Sequence, residues 1–239
     1  MPADARQRWR VVYARDETSA GLAQRAEIEA WEAGLAASGL PLVTTESSEP
    51  KVRVAFAAPL PVGMTAAGEL LELLTSERLP VHQVRRALVR VAPPGHRIVA
   101  VHDVWLGAPP LPGQVVGAEY RVRLAAVEPA LLERLAGAIR ALLSAERLER
   151  ERRRGERAVR YDLRPFVVGL TLEGDAGAPI LWMRLAHDPE RGIGRPDEVV
   201  AALSDLVGEP LGVEAACRER IVLAEDDGAR RAPGGEPEA

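Results

Sequence analysis

The order of hydrophobic periodicities predicts an α+β protein in which one architecture is laid down twice. Segments with apolar residues at every second position alternate with segments at helical spacing in the order β-α-β-β-α-β, once over residues 8–106 and again over 118–224. Between them Gly107 to Gly117 holds three prolines and three glycines without periodicity, which marks a linker. Each pass is expected to close as a ferredoxin-like (βαββαβ) sandwich, an antiparallel sheet with helices on one face. The repeat is one of architecture, since the two passes share no residue pattern.

In the first pass Trp9, Val11 and Tyr13 alternate with Arg8, Arg10 and Val12, the period of a half-buried strand. From Ser19 to Ser38 the period is helical, with Ile28, Trp31 and Leu35 on one face, and Gly39 and Pro41 end it. Thr44 to Pro50 is polar and reads as a loop. Val52, Val54 and Phe56 then alternate with Lys51, Arg53 and Ala55 before the Pro- and Gly-rich turn Ala58 to Gly63. Gly68 to Thr75 has the leucines and glutamates of a helix, but its place between a turn and a helix predicts a strand. Val81, Val84, Leu88 and Val91 form a helical stripe, stopped by Pro93-Pro94-Gly95, and Ile98 to Leu106 is extended.

The second pass opens with Tyr120, Val122 and Leu124 at alternating positions. Pro129 suits a first helical turn, and Leu132, Leu135, Ile139 and Leu142 continue that helix. A charged run, Glu146 to Arg160, leads into Val159 to Leu172, read as a strand entered through Asp162-Leu163-Arg164-Pro165. Ile180 to Leu185 is a further strand. Pro196 opens a helix that carries Val199, Val200, Leu203, Leu206 and Val207 and ends at Gly208, and Ile221 and Leu223 mark the last strand. The tail 225–239 has no apolar residue beyond alanine and is expected to be disordered.

Composition narrows the classes. A net charge of −4 over 239 residues gives no global pull towards nucleic acid. Lys51 is the only lysine, so nearly all positive charge is arginine, as a GC-rich genome would produce. The single cysteine, Cys217, excludes an intramolecular disulfide and any all-cysteine metal site, and reads as an inert core thiol. Met1 to Arg10 lacks the apolar core of a signal peptide, and no run is long enough to cross a membrane. A cytoplasmic protein is expected.

No catalytic, cofactor or metal constellation stands out. His102-Asp103 and His187-Asp188 are adjacent pairs whose side chains point to opposite faces of a strand, so neither forms a metal site alone. Gly192-Ile193-Gly194-Arg195-Pro196 precedes a helix as phosphate-cradling loops do, but Asp197 and Glu198 place negative charge in the first turn, and a structural turn is the better reading. From Arg147 to Arg160 seven arginines stand against three glutamates, which is either a solvated edge or a cationic patch for RNA or an acidic partner.

Three segments resemble the radical SAM-linked protein family, bacterial domains of unknown function found beside or fused to radical SAM proteins. They are Pro50 to Gly63 followed by Gly68-Glu69, then Tyr161-Asp162-Leu163-Arg164-Pro165-Phe166-Val167, then Gly194-Arg195-Pro196 with Arg220 in the last strand. The family's Ser-His-Leu-Asp and Gly-Phe-Asn-Pro-His-Pro elements are missing, so the chain resembles a divergent member. The resemblance implies an accessory protein without catalysis of its own that works with a radical SAM enzyme, with RNA as a second partner. Its expected binding residues are Arg53, Asp162, Arg164, Arg195 and Arg220. Two alternatives stay open, an enzyme using Asp162 as general base and a scaffold that binds protein alone.

Overall fold

The computed structural model describes residues 5–154, 157–188 and 190–225, with side chains omitted over 152–158. It shows a mixed α+β protein built largely from antiparallel strands, with six helices among the described residues. The chain forms two compact units, Met1–Val115 together with Leu223–Ala239, and Val116–Val222.

The first unit contains β1 (Gln7–Arg15), α1 (Glu17–Ala20), α2 (Gln24–Ala36), β2 (Val54–Phe56), β3 (Thr65–Thr75), α3 (Val81–Val91), β4 (His96–Val104) and α4 (Leu111–Gln114). Its sheet runs β4-β1-β3-β2, and every neighbouring pair is antiparallel. The alternation in β1 sends Trp9, Val11 and Tyr13 into a core shared with Trp31 and Leu35 of α2 and Val84 and Leu88 of α3. Each such fully buried side chain contributes about 1.5–3 kcal/mol. Gly34 lets α2 approach α3 closely, since a Cβ there would lie 2.3 Å from the Val91 carbonyl oxygen.

The second unit contains β5 (Val115–Leu124), α5 (Pro129–Ser144), β6 (Glu149–Arg154), β7 (Arg157–Asp162), a 3-10 turn (Arg164–Phe166), β8 (Val167–Glu173), β9 (Ile180–Asp188), β10 (Gly192–Ile193), α6 (Pro196–Val207) and β11 (Val213–Leu223). Its main sheet runs β8-β9-β5-β11, with β10 also on β9. Tyr120, Val122 and Leu124 of β5 and Leu181, Met183 and Leu185 of β9 are buried with Leu135, Ile139 and Leu142 of α5 and Val199 and Leu203 of α6. Gly208 ends α6 in the left-handed region at φ +78°, a conformation glycine adopts without strain. Among the described residues, strands β6 and β7 pair only with each other, as a separate two-stranded ribbon.

Several elements depart from the sequence expectation. The helix expected over Ser19 to Ser38 is two, because Ala23 is extended (φ −69°, ψ 152°) and Asp16 caps a separate turn by accepting the Thr18 N–H. Glu27 takes the core-facing position assigned to Ile28, held there by an ion pair to Arg15. The linker Gly107 to Gly117 contains α4, and Leu111 is fully buried. The last strand starts at Val213, well before Ile221. Cys217 is half-buried rather than a core thiol. Gly68 to Thr75 is indeed strand, inside β3. The tail expectation falls, from residue 226 on, outside the described residues. Among the described residues no helix is long and apolar enough to cross a membrane, and no cluster of three potential metal ligands is found.

Candidate functional site

The five residues singled out from sequence divide between the units, with Arg53 in the first and the others in the second. In the second unit the structure brings Asp162, Arg164 and Arg195 to one end of the sheet. Gly194 makes this possible: a Cβ there would lie 2.9 Å from the Phe166 Cβ and 3.0 Å from the Leu185 Cβ, so only hydrogen fits between the 3-10 turn and β9. Arg195 follows directly and feels Tyr161 electrostatically. The segments 161–167 and 194–196, distant in sequence, therefore form one neighbourhood. Gly194→Ala is expected to push the 3-10 turn away and destabilise the second unit by about 1–3 kcal/mol. Urea unfolding equal to wild type would show that the close approach is dispensable.

Within this neighbourhood the polar groups are largely spent on structure. Asp162 Oδ1 accepts the backbone N–H groups of Leu148 (2.8 Å) and Arg164 (3.0 Å), pinning the end of the ribbon to the turn. The Arg164 guanidinium donates to the carbonyls of Val167 (2.7 Å) and Leu143 (2.8 Å), tying β8 to the end of α5, and its buried Nε has no partner among the described residues. Arg195 makes a two-point bond to Asp197, which, against the opposing effect of burial, holds its guanidinium more basic than usual. Arg220 is bonded twice to Glu119 on β5, part of a set of pairs between β5 and β11 that includes Arg121–Glu219 and Arg123–Glu214. Arg220 thus belongs to a strand-to-strand lattice rather than to the turn. His187 lies near the end of β9, opposite Ile193, its buried Nδ1 without a partner among the described residues, and burial lowers its pKa.

The ribbon is the cationic feature of this unit. In register Glu149 faces Asp162 and Arg150 faces Tyr161, and the run of seven arginines expected from sequence falls on these two strands and their flank. Among the arginines with described side chains, Arg150 pairs with Asp205 of α6, Arg160 lies 3.4 Å from Glu151, and Arg147 lies 3.6 Å from Glu149. Arg147 and Arg160 are both largely exposed, so these pairs are weak and open to competition.

The first unit holds two buried charge clusters that sequence reading missed. On the sheet face away from α2 and α3, Glu72 of β3 accepts from Arg8 and, at 3.0 Å, from Arg10, both on β1. Arg8 also donates to the carbonyls of Ala108 and Pro109, and Arg10 to Gln114 and Glu225. At the end of β1, Glu27 accepts from Tyr13 (2.9 Å) and Arg15 (2.7 Å), and lies 3.4 Å from His96 Nε2. The Tyr13, Trp31 and His96 rings all pack against one another. Burial raises the Glu27 pKa, but the His96 bond, the Arg15 charge and the Tyr13 bond outweigh it and leave the carboxyl more acidic than usual. Burial, with Glu69 and Glu27 adding to it, pushes the Tyr13 phenol well up. The sequence signal for the Glu72 cluster was the charge of Arg8 and Arg10 inside an alternating strand, ordinarily its solvated face, and Glu27 stood as one charge among several on a helix.

Arg53 is bonded to neither cluster. It precedes β2, its backbone N–H donates to the Val43 carbonyl, and its exposed guanidinium has no partner among the described residues. It lines a cleft shared with Arg8, Lys51 and Glu72.

No curated protein matches the chain. A crystal structure of an unknown protein from Galdieria sulphuraria is similar at 15% identity, covering 87% of this chain and 98% of its own, with a TM-score of 0.25. The family described as an uncharacterized protein conserved in bacteria (DUF2344) matches residues 8–196, a span that holds Arg53 and the whole 161–167 and 194–196 neighbourhood but stops short of Arg220. The chain belongs to that family.

Proposed function

We propose that this chain is a non-catalytic accessory protein of the bacterial cytoplasm that binds RNA through the β6–β7 ribbon. The ribbon is the observation that carries the reading: a two-stranded element outside the main sheet, in the run that holds seven arginines against three glutamates. A basic two-stranded ribbon can follow a phosphate backbone, with affinity set by charge and released counterions. Only Tyr161 and Phe166 are aromatic nearby, and Phe166 is buried, so recognition rests on backbone charge rather than base stacking. A radical SAM enzyme as protein partner is what the sequence resemblance adds. The strand orders β4-β1-β3-β2 and β8-β9-β5-β11 support reading the two units as tandem ferredoxin-like sandwiches. The bonds at Asp162 speak against its use as a general base, because one carboxylate oxygen is committed to two backbone N–H groups.

Changing Arg150, Arg152, Arg153 and Arg154 together to Gln is expected to weaken RNA binding by at least about tenfold, and raising salt from about 50 to 200 mM to weaken the wild type comparably. Filter binding with total RNA of the host reads both. Undiminished binding by the quadruple variant would remove the ribbon from the function. Purification from the host at low salt tests the enzyme partner, and absence of a stoichiometric radical SAM protein would count against that part.

A further inference from the structure

We infer that the cleft beside β2 is a binding site for a small amphipathic anion, a carboxylate or phosphate monoester head on a short aliphatic body. The cleft, of about 650 Å³, lies wholly within the first unit and is independent of the ribbon. One part of its wall is aliphatic, from Val52, Val54, Leu74, Pro110 and Leu111, and none of its lining residues is aromatic. An aliphatic wall without a ring accommodates a hydrocarbon body better than a nucleobase, which binds most strongly by stacking.

The polar part of the wall is set up for negative charge. Arg8, Lys51 and Arg53 line it against Glu32 and Glu72. Glu72 is already engaged by Arg8 and Arg10, so it offers little repulsion. Glu32 lies 3.8 Å from Lys51 Nζ, an exposed contact that a bound anion can replace. The Arg53 guanidinium has no partner among the described residues, and its planar fork matches the two oxygens of a carboxylate or phosphate. The Thr45 hydroxyl accepts the Lys51 backbone N–H at 3.1 Å, and the Thr45 N–H donates to the Lys51 carbonyl at 2.8 Å. The loop carrying both cations is thereby fixed before any ligand arrives, which lowers the entropy lost on binding.

Hexyl phosphate titrated into the full chain, followed by amide NMR shifts, tests the site. Shifts are expected at Thr45, Val52 to Ala55 and Leu74. The Arg53→Ala and Lys51→Ala variants should each weaken binding, Arg53→Ala by about tenfold or more. Both side chains are exposed and outside the core, and the circular dichroism of the variants should match wild type. Inorganic phosphate should bind more weakly than hexyl phosphate, and hexanol should not bind. No shifts around the cleft, equal affinity in both variants, or hexanol binding as well as hexyl phosphate would each overturn the assignment.

Discussion

Replacing Glu72 with alanine is expected to remove about 3–5 kcal/mol of folding stability, the effect of leaving buried charges without their counter-charge. The carboxylate is the shared acceptor of Arg8 and Arg10, and the three side chains are at most 11% exposed. Arg8 keeps the carbonyls of Ala108 and Pro109, and Arg10 keeps Gln114 and the exposed Glu225, so the loss should sit near the lower end of that range. Glu72→Gln should lose less, because it retains an acceptor while removing the charge. A triple change of Arg8, Arg10 and Glu72 to Met, Met and Leu should recover much of the deficit, since apolar residues of similar volume need no pairing. Urea midpoints decide the matter: a Glu72→Ala protein as stable as wild type would mean that water reaches these guanidinium groups.

The second large effect centres on Glu27. Its carboxyl is more acidic in the folded protein than the ordinary glutamate value of about 4.3. A group whose pKa is depressed by folding stabilises the native state above its unfolded pKa, and that contribution fades as pH falls through the folded value. Wild type should therefore lose stability below about pH 4.3 more steeply than Glu27→Gln, which has nothing to protonate there. At neutral pH Glu27→Ala leaves Arg15, whose side chain is 1% exposed, with only the Ser19 and Leu22 carbonyls, and deprives the Tyr13 hydroxyl of its acceptor. A loss of about 3 kcal/mol or more is expected. Parallel pH–stability curves for wild type and Glu27→Gln would show that Glu27 does not carry this dependence.

The sequence disclosed elements through periodicity and failed where tertiary contacts overrode it. Trp9, Val11 and Tyr13 announced a strand, and Val84 and Leu88 a helix, because burial of one face leaves a spacing that can be read directly. Gly68 to Thr75 could be read only from its context, since both faces of β3 are buried and the alternation disappears. Glu27, Glu72, Arg8 and Arg10 were invisible as core residues because their burial depends on partners far along the chain. The same limit applied to the candidate site. The family resemblance pointed to Asp162 and Arg164 as binding residues, and their bonds to backbone groups of Leu148, Leu143 and Val167 could be seen only in the fold. Gly194 was read as part of a turn, and its contact with Phe166 required the fold.

The way the β6–β7 ribbon leaves and rejoins the second unit has a consequence for how the protein can change over evolutionary time. Leu148 and Leu163 flank the ribbon, and the Leu163 N–H donates to the Leu148 carbonyl at 2.8 Å, so the detour begins and ends at one point. Insertions or deletions between Arg150 and Tyr161 leave this junction and the Asp162 bonds to the Leu148 and Arg164 N–H groups in place, and need not move α5 or β8. Lineages can lengthen, shorten or recharge the ribbon while the sheet beneath stays constant, and a change of partner is then possible without refitting a core.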